Sequence, residues 1–360
     1  VATSDDPEVT VEAFPGITEV QRSALMTGDS GFDKHARTEL RRLIRRARSN
    51  QPGIVAVVGE RGIGKGAFLE NIHEALDGKA LLLSCKHGTF EELQFEFCRQ
   101  LEIEDCSVEN VSAALQEKEI GAILIRDIHR LSRPVVDGQG ELRKYTDFVE
   151  SIDHKMLWVI SVDCFAWQFM RRVRADQASI HEVVEIPAWS EEHLSLLLDQ
   201  RNSDAGIDPD FSAVQIPSEH AVTEADTAEQ RNKAGIYRML WTLSGGNPAV
   251  ALLIWTDCLY YAEEGDKQLL VRLPTQPSTR DLDSAAHNSL LVLRCIAQAD
   301  VIAEADIVDN LRLLPGAVGS AMHYCASRGW IEQFDGRYRL SMVWFKTITR
   351  LLARQNLLAR

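Results

Sequence analysis

The amino-acid sequence predicts an α/β fold: a parallel sheet with helices on both faces, then a helical region and a small C-terminal domain. Three observations support this prediction. Between residues 53 and 186, short strands that are apolar throughout alternate with helical segments, which is typical of a parallel sheet covered on both faces. Only helical patterns lie between Ser190 and residue 283. After residue 284, three helical segments precede two extended runs joined by Asp335-Gly336, a strong hairpin signal.

Each element of the first part rests on a local pattern. The helix over residues 32–49 is amphipathic, with an apolar stripe and arginines around the other face. Those arginines fit a solvated face that balances acidic neighbours, or contact with anionic lipid or nucleic acid. Strands are predicted at 54–58, 80–84, 120–125, 157–162 and 182–186, and further helices at 90–101, 108–118, 140–152 and 164–174.

The later elements follow from capping and turn signals. Ser190 is a plausible N-cap with acidic residues after it, and it opens a helix to about residue 202. Residues 203–233 are polar and too numerous for an ordinary loop, which predicts a mobile segment. Helices are then predicted at 235–243, 248–262, 288–299, 304–311 and 317–328, strands at 330–334 and 337–340, and a closing helix at 342–358.

Composition limits the class of protein. The chain has 360 residues, enough for two or three domains, and a net charge of -14 argues against a general nucleic-acid binder. Its seven cysteines lack Cys-x-x-Cys pairs and zinc-type spacing, which predicts reduced, mostly buried thiols in a cytoplasmic protein. We expect no signal peptide and no membrane span, since no apolar run approaches about 18 residues. The chain does not begin with Met, so a membrane tether outside it stays open.

A glycine-rich segment after the first strand has the layout of a phosphate-binding loop. The apolar run ends at Gly59, and Gly64-Lys65 follows five residues later, before a helix. Glycines let backbone N–H groups approach an anion, the helix N-terminus faces it, and Lys65 adds a charge for the β and γ oxygens. The alternative is a glycine-rich turn without a ligand. The predicted nucleotide-binding residues are Gly59, Glu60, Arg61, Gly62, Ile63, Gly64, Lys65, Gly66 and Ala67.

A second motif argues for the ligand. Such loops work with an acidic residue at the end of another parallel strand, which orders the Mg²⁺ shell, and often with a second acid that polarises water. The strand over residues 120–125 leads through Arg126 to Asp127, which is the candidate catalytic residue and Mg²⁺ ligand.

These features, in this order, resemble the P-loop ATPases of the AAA+ and STAND groups over about residues 32–360. The features are Gly59-x4-Gly64-Lys65, the Asp127 strand, the strand over residues 157–163, and Leu243-Ser-Gly-Gly-Asn-Pro248. The resemblance implies a P-loop NTPase sheet, a helical lid and frequently a C-terminal winged helix, with ATP or ADP held between sheet and lid. It also implies a sensor residue at the end of the strand over residues 157–163, for which Asp163 and Ser161 are the candidates.

The resemblance divides the chain into four parts: a flexible N-terminal segment (1–31), a P-loop nucleotide-binding α/β domain (32–189), a helical lid (190–283) that contains the mobile segment 203–233, and a winged-helix domain (284–360).

Three departures from the family pattern affect catalysis. The residue after Lys65 is Gly66, where a Ser or Thr hydroxyl holds Mg²⁺ in relatives. Relatives often carry two adjacent acids at the strand end. Here either Arg126 takes the place of the magnesium acid or Ile128 takes the place of the catalytic one. Relatives also place Arg after Asn-Pro, where this chain has Ala249. These departures predict weak or absent hydrolysis.

The sequence therefore supports a nucleotide-binding switch, in which binding of ATP or ADP is coupled to interaction with a protein partner. The formation of homo-oligomers is left open. One alternative is an adaptor or scaffold that makes no use of nucleotide. The other is a winged-helix DNA-binding regulator, which is not favoured because residues 317–327 contain no Lys or Arg. Arg171 and Arg172 could act as arginine fingers or form a solvated helix end. His129 is predicted to be structural.

Overall fold

The computed structural model describes residues 16–27, 32, 34–86, 88–152, 156–173, 180–217, 227–263, 268–275 and 279–358. Its centre is a five-stranded parallel sheet in the order β2-β3-β4-β1-β5. The strands are β1 Gly53–Gly59, β2 Ala80–Ser84, β3 Ala122–Arg126, β4 Leu157–Asp163 and β5 Glu182–Glu185. The predicted α/β fold of a P-loop NTPase is thereby confirmed.

Helices cover both faces of this sheet. They are α2 Lys34–Arg48, α3 Lys65–Ala75, α4 Phe90–Leu101, α5 Val108–Glu117, α6 Gly140–Ser151 and α7 Cys164–Arg172, with a 3₁₀ turn at Ile128–Leu131. Alternate residues of β1 enter different cores: Val55 and Val57 pack on one face, and Ala56 and Val58 on the other. Burial on both faces explains why the strand is apolar throughout.

The N-terminal segment differs from the predicted flexible lead-in. Helix α1 spans Glu19–Met26, and Thr18 and Gln21 form a capping box at its start. The side chain of Leu25 is fully buried, and Gly16 forms a β-bridge with Tyr260. The prediction of a flexible segment is therefore wrong for residues 16–27, because long-range contacts hold them. Residues 1–15 and 28–31 lie outside the described residues.

The lid region contains strands as well as the predicted helices. It comprises α8 Glu191–Asp204, β6 Pro209–Asp210, α9 Ala228–Ser244, α10 Pro248–Cys258, β7 Leu259–Tyr261 and β8 Leu269–Val271. The three short strands form one sheet in the order β6-β8-β7. Only helical patterns were expected between Ser190 and residue 283, so the prediction missed this sheet.

The predicted mobile segment 203–233 is too long at both ends. The Phe211 ring is buried and stacks on Trp255, with ring centroids 6.0 Å apart. At the other end, Thr227 and Gln230 form a capping box that opens α9, so residues 228–233 are helical. Residues 218–226 lie outside the described residues.

The C-terminal region has the predicted order of three helices, a hairpin and a closing helix. The short helix α11 Arg280–Asp283 comes first. The three helices are α12 His287–Ala299, α13 Glu304–Leu311 and α14 Pro315–Ser327, the hairpin strands are β9 Ile331–Phe334 and β10 Arg337–Leu340, and the closing helix is α15 Met342–Arg354. At the hairpin tip, Asp335 and Gly336 both have left-handed backbone angles, with φ of 51° and 71°. This is the element order of a winged helix, and the name "C-terminal region" is used below for α12 to α15.

Two further findings concern the cysteines and membranes. Cys98 at the end of α4 and Cys106 before α5 form a disulfide, so the prediction of reduced thiols is wrong for this pair. Cysteine spacing could not reveal it, because the turn between the two helices brings the side chains together. In the part of the chain that the structure describes, no helix has the length and apolar character to cross a membrane.

Candidate nucleotide-binding site

The phosphate-binding loop lies between the end of β1 and the start of α3. Gly62 and Gly64 have φ of 80° and 111°, values that favour glycine. Gly64 is the N-cap residue of α3 and supplies no side-chain cap. The first N–H groups of the helix are therefore available to an anion at this end.

Lys65 is buried at the first position of α3, and its ammonium group folds back across the loop. The Nζ atom donates hydrogen bonds to the carbonyl oxygens of Gly59, at 2.7 Å, and Glu60, at 2.8 Å. These contacts keep the charged group at the loop. A bound phosphate would offer it stronger, charge-assisted partners.

A cavity of about 540 Å³ opens above the loop. Its size falls within the range of about 300–1,000 Å³ that is typical of small-ligand pockets. The lining residues are Arg61, Gly62, Gly64, Lys65, Gly66, Arg126, Asp127, Arg130, Ser161, Ala249, Asp300, Val301, Glu332, Arg339 and Met342. The loop, the end of β3, the lid and the C-terminal region thus share one cavity.

The lid contacts the loop through the residue that caps α10. The Asn247 Nδ2 group donates to the Arg61 carbonyl at 2.8 Å, while its Oδ1 accepts from Val250 N at 3.4 Å. The packing leaves no room for a side chain at Gly62. A Cβ there would lie 2.3 Å from Met342 Cε and 2.8 Å from Ala249 Cβ.

The end of β3 brings Arg126 and Asp127 to the cavity. Asp127 has a left-handed backbone, and its N–H donates to Ser161 Oγ at 2.9 Å. Its carboxylate lies 3.4 Å from Arg130 Nη2. The Arg126 guanidinium forms an ion pair with Glu70 on α3.

Of the two candidate sensor residues, Ser161 lines the cavity, whereas Asp163 is buried and does not line it. Asp163 Oδ1 caps α7 by accepting from Phe165 N at 2.9 Å, while Oδ2 has no hydrogen-bond partner. Burial raises the pKa of Asp163, and the charge of Lys65 opposes this rise. The sensor role remains a prediction for both residues.

The comparison with known families agrees with this geometry. The sequence model of the family described as "AAA ATPase domain" matches residues 34–292. The chain belongs to this family. The match covers the phosphate loop, the sheet and the lid. No curated protein matches the chain.

Several solved structures are similar to this AAA ATPase domain protein. One is the Aeropyrum pernix ORC2 protein (ADPNP–ADP complexes), at 12% identity and a TM-score of 0.42, covering 92% of this chain and 98% of that chain. Another is the Thermotoga maritima RuvB Holliday junction branch migration motor, at 13% identity and a TM-score of 0.41, and this match covers 91% of this chain and 98% of that chain. A third is Cdc6p from Pyrobaculum aerophilum, at 13% identity and a TM-score of 0.38, and this match covers 92% of this chain and 98% of that chain.

Asp300 of the C-terminal region binds the AAA ATPase domain through a buried charge cluster that the sequence did not reveal. Its Oδ2 lies 3.0 Å from Arg130 Nη2 and 3.7 Å from His129 Nε2, and its Oδ1 lies 3.9 Å from Arg61 Nη1. Burial opposes ionisation of Asp300. The ring of His129 and the two guanidinium groups outweigh it, so the pKa of Asp300 stays below its usual range.

A second set of contacts joins the phosphate loop to α15 and to the end of β10. Glu60 forms an ion pair with Lys346, and the Arg61 guanidinium donates to the Leu340 carbonyl at 2.6 Å. The same guanidinium lies 5.3 Å from the centre of the Phe345 ring. Both loop residues occupy positions that the motif leaves unspecified, so the sequence carried no signal for these contacts.

The loop suits a nucleotide, but the residues beside it do not fit Mg²⁺. Gly66 has no hydroxyl, and a Cβ there would meet no atom within 4 Å. Arg126, a cation, ends the strand, and the next acid, Asp127, is close to Arg130. Within the described ranges, no cluster of three or more His, Cys, Asp or Glu side chains could hold a metal ion. The residues beside the loop therefore support no magnesium-dependent step.

Proposed function

We propose that the protein is a nucleotide-dependent switch, in which ATP or ADP bound at the phosphate loop sets the docking of the C-terminal region. One observation carries this proposal. The cavity above Lys65 is lined by the AAA ATPase domain and by Asp300, Glu332, Arg339 and Met342 of the C-terminal region. A ligand there contacts both parts, so its affinity differs between the docked and the undocked state of the C-terminal region. Binding therefore shifts the equilibrium between these two states.

The charges in the cavity favour docking with ADP over docking with ATP. Backbone N–H groups and Lys65 bind the phosphates. A γ-phosphate adds negative charge beside Asp300 and Glu332, and it competes with Asp300 for the guanidinium groups of Arg61 and Arg130. ATP therefore loosens the C-terminal region, whereas ADP is compatible with the docked state.

Undocking exposes a surface for a protein partner or a second copy of the chain. The Phe345 ring packs on Phe165, with ring centroids 6.2 Å apart, and also lies beside Arg61. The Phe334 ring lies 5.9 Å from the Arg130 guanidinium. Release of these aromatic side chains creates an apolar patch of the kind that binds proteins.

Replacement of Lys65 by alanine is expected to weaken ATP and ADP binding by at least ~2 kcal/mol, because the loop loses a charged ammonium group that can bind phosphate oxygens. Isothermal titration of the full chain gives the affinities. Lys79→Ala is the matched control, since Lys79 is exposed and pairs with Glu119 away from the cavity. Equal affinity of Lys65→Ala and the unmodified protein would contradict nucleotide binding at this loop and favour an adaptor.

We also expect the full chain to lack tight, salt-sensitive binding to duplex DNA. No Lys or Arg lies in α14, the helix that winged-helix proteins place in the major groove. Arg339 of the hairpin pairs with Glu332 at 2.6 Å and faces the cavity. Fluorescence anisotropy of a labelled duplex, at low and at physiological salt, measures this. A steep loss of tight binding with added salt would support the DNA-binding alternative.

A further inference from the structure

Arg126 is the last residue of β3, at the strand end where relatives often carry two adjacent acids, and the surrounding residues hold it there. Its guanidinium pairs with Glu70, and its Nε atom is buried without a hydrogen-bond partner. Glu70 lies one helical turn after Gly66 on α3, so the two residues share a face of that helix. Glu70, the residue that holds Arg126, is therefore part of the helix that follows the phosphate loop.

The missing side chain at Gly66 is consistent with this arrangement. Gly66 and Arg126 line the same cavity, and a Cβ at Gly66 would meet no atom within 4 Å. A Thr or Ser at this position would therefore add a side chain to the wall of the cavity that Arg126 also lines. The two departures from the motif thus have one explanation: a cation supplied by the protein replaces a metal ion and its hydroxyl ligand.

The charge of the cavity permits a nucleotide without a metal. Five cationic side chains line it, against three acidic ones: Arg61, Lys65, Arg126, Arg130 and Arg339, against Asp127, Asp300 and Glu332. Guanidinium groups bind phosphate oxygens in pairs of parallel hydrogen bonds, which suits the neutralisation of a polyphosphate.

We infer that the protein binds ATP and ADP as free polyphosphates, with the Arg126 guanidinium in the charge-neutralising place of Mg²⁺. This inference rests on the proposed function, because it concerns the same site. It assigns Arg126 as a phosphate-binding residue and Glu70 as the residue that positions it.

The test is the affinity of the full chain for ATP and ADP, measured by isothermal titration in excess EDTA and in millimolar Mg²⁺. We expect the affinity of the unmodified protein to differ by less than about threefold between the two conditions. Arg126→Ala is expected to lose about tenfold or more in EDTA, and Arg126→Lys less. Arg99→Ala is the matched control, because Arg99 forms an exposed ion pair with Glu96 at 2.6 Å and does not line the cavity.

The outcomes separate this inference from the proposed function. Binding that is lost in EDTA and restored by Mg²⁺ would overturn the inference and leave the nucleotide switch intact. Metal-independent binding that Arg126→Ala leaves unchanged would overturn the assignment of Arg126. Absence of binding under both conditions would overturn the inference and the proposed function together. The comparison of nucleotide affinity between EDTA and Mg²⁺ uses the unmodified protein alone. This part of the test therefore holds even if Arg126→Ala does not fold.

Discussion

Replacement of Asp300 by alanine is expected to release the C-terminal region from the AAA ATPase domain. The substitution removes the acidic partner of His129 and Arg61 at this buried contact, and it leaves Arg130 with Asp127 at 3.4 Å. Removal of one partner from a buried charge cluster typically costs about 3–5 kcal/mol. Urea unfolding, followed by tryptophan fluorescence and by calorimetry, measures the loss. We expect a separate early transition for the C-terminal region.

The control for this variant is Asp281→Ala, which removes an exposed ion pair with Arg328 at 2.8 Å and should cost less than about 1 kcal/mol. Acid titration gives a second check. Because the pKa of Asp300 is held low, its stabilisation is complete above about pH 4 and is lost as the pH falls through the folded-state pKa. The difference between the unmodified protein and Asp300→Ala should therefore shrink in acid. A single transition of unchanged stability in Asp300→Ala at neutral pH would contradict the account.

We expect the unmodified protein to bind nucleotide but to turn over less than ~1 ATP per minute. Gly66 supplies no hydroxyl, and the sequence Arg126-Asp127-Ile128 has one acid where relatives have two. A lost electrostatic contributor to the transition state is typically worth about 3–4 kcal/mol, or some hundreds-fold in rate. Binding suffers less, because backbone N–H groups and Lys65 supply most of it. Phosphate release under saturating ATP gives the rate.

The rescue variant tests the cause of the slow rate. Gly66→Thr combined with Arg126→Asp restores a hydroxyl and a strand-end acid, and we expect part of the rate to return in a Mg²⁺-dependent manner. Lys65→Ala serves as the blank. Brisk, Mg²⁺-dependent phosphate release by the unmodified protein, abolished in Lys65→Ala, would show that it is an ordinary ATPase and that the two departures have no catalytic consequence.

Local sequence patterns predicted the sheet and the loop well, because both depend on neighbouring residues. Helix α4 and strand β2 have the predicted bounds, and β1 and α3 flank the loop as expected. The errors concern segments that distant contacts hold. Leu25 of α1 and Phe211 are buried only through packing against the lid helices, so their polar surroundings in sequence predicted flexible chain instead.

Local sequence patterns could not predict the contacts that define the proposed switch, because these contacts also join distant residues. Glu60 and Lys346 are 286 residues apart, and Arg130 and Asp300 are 170 residues apart. Each residue taken alone fits an exposed, solvated position. Only the folded chain shows that the loop and the C-terminal region share buried charges. The motif predicts a phosphate-binding site at the loop, and the structure adds the residues of the C-terminal region that line the cavity above it.

A distance measurement across the cavity tests the switch most directly. Spin labels at the exposed positions Glu117 and Ser327, with Cys164→Ser to remove the partly exposed thiol, report the separation of the two parts by electron double resonance. We predict one narrow distance distribution with ADP and a second, longer population with ATP. A single distribution that is the same without nucleotide, with ADP and with ATP, in protein shown by titration to bind both, would contradict the switch.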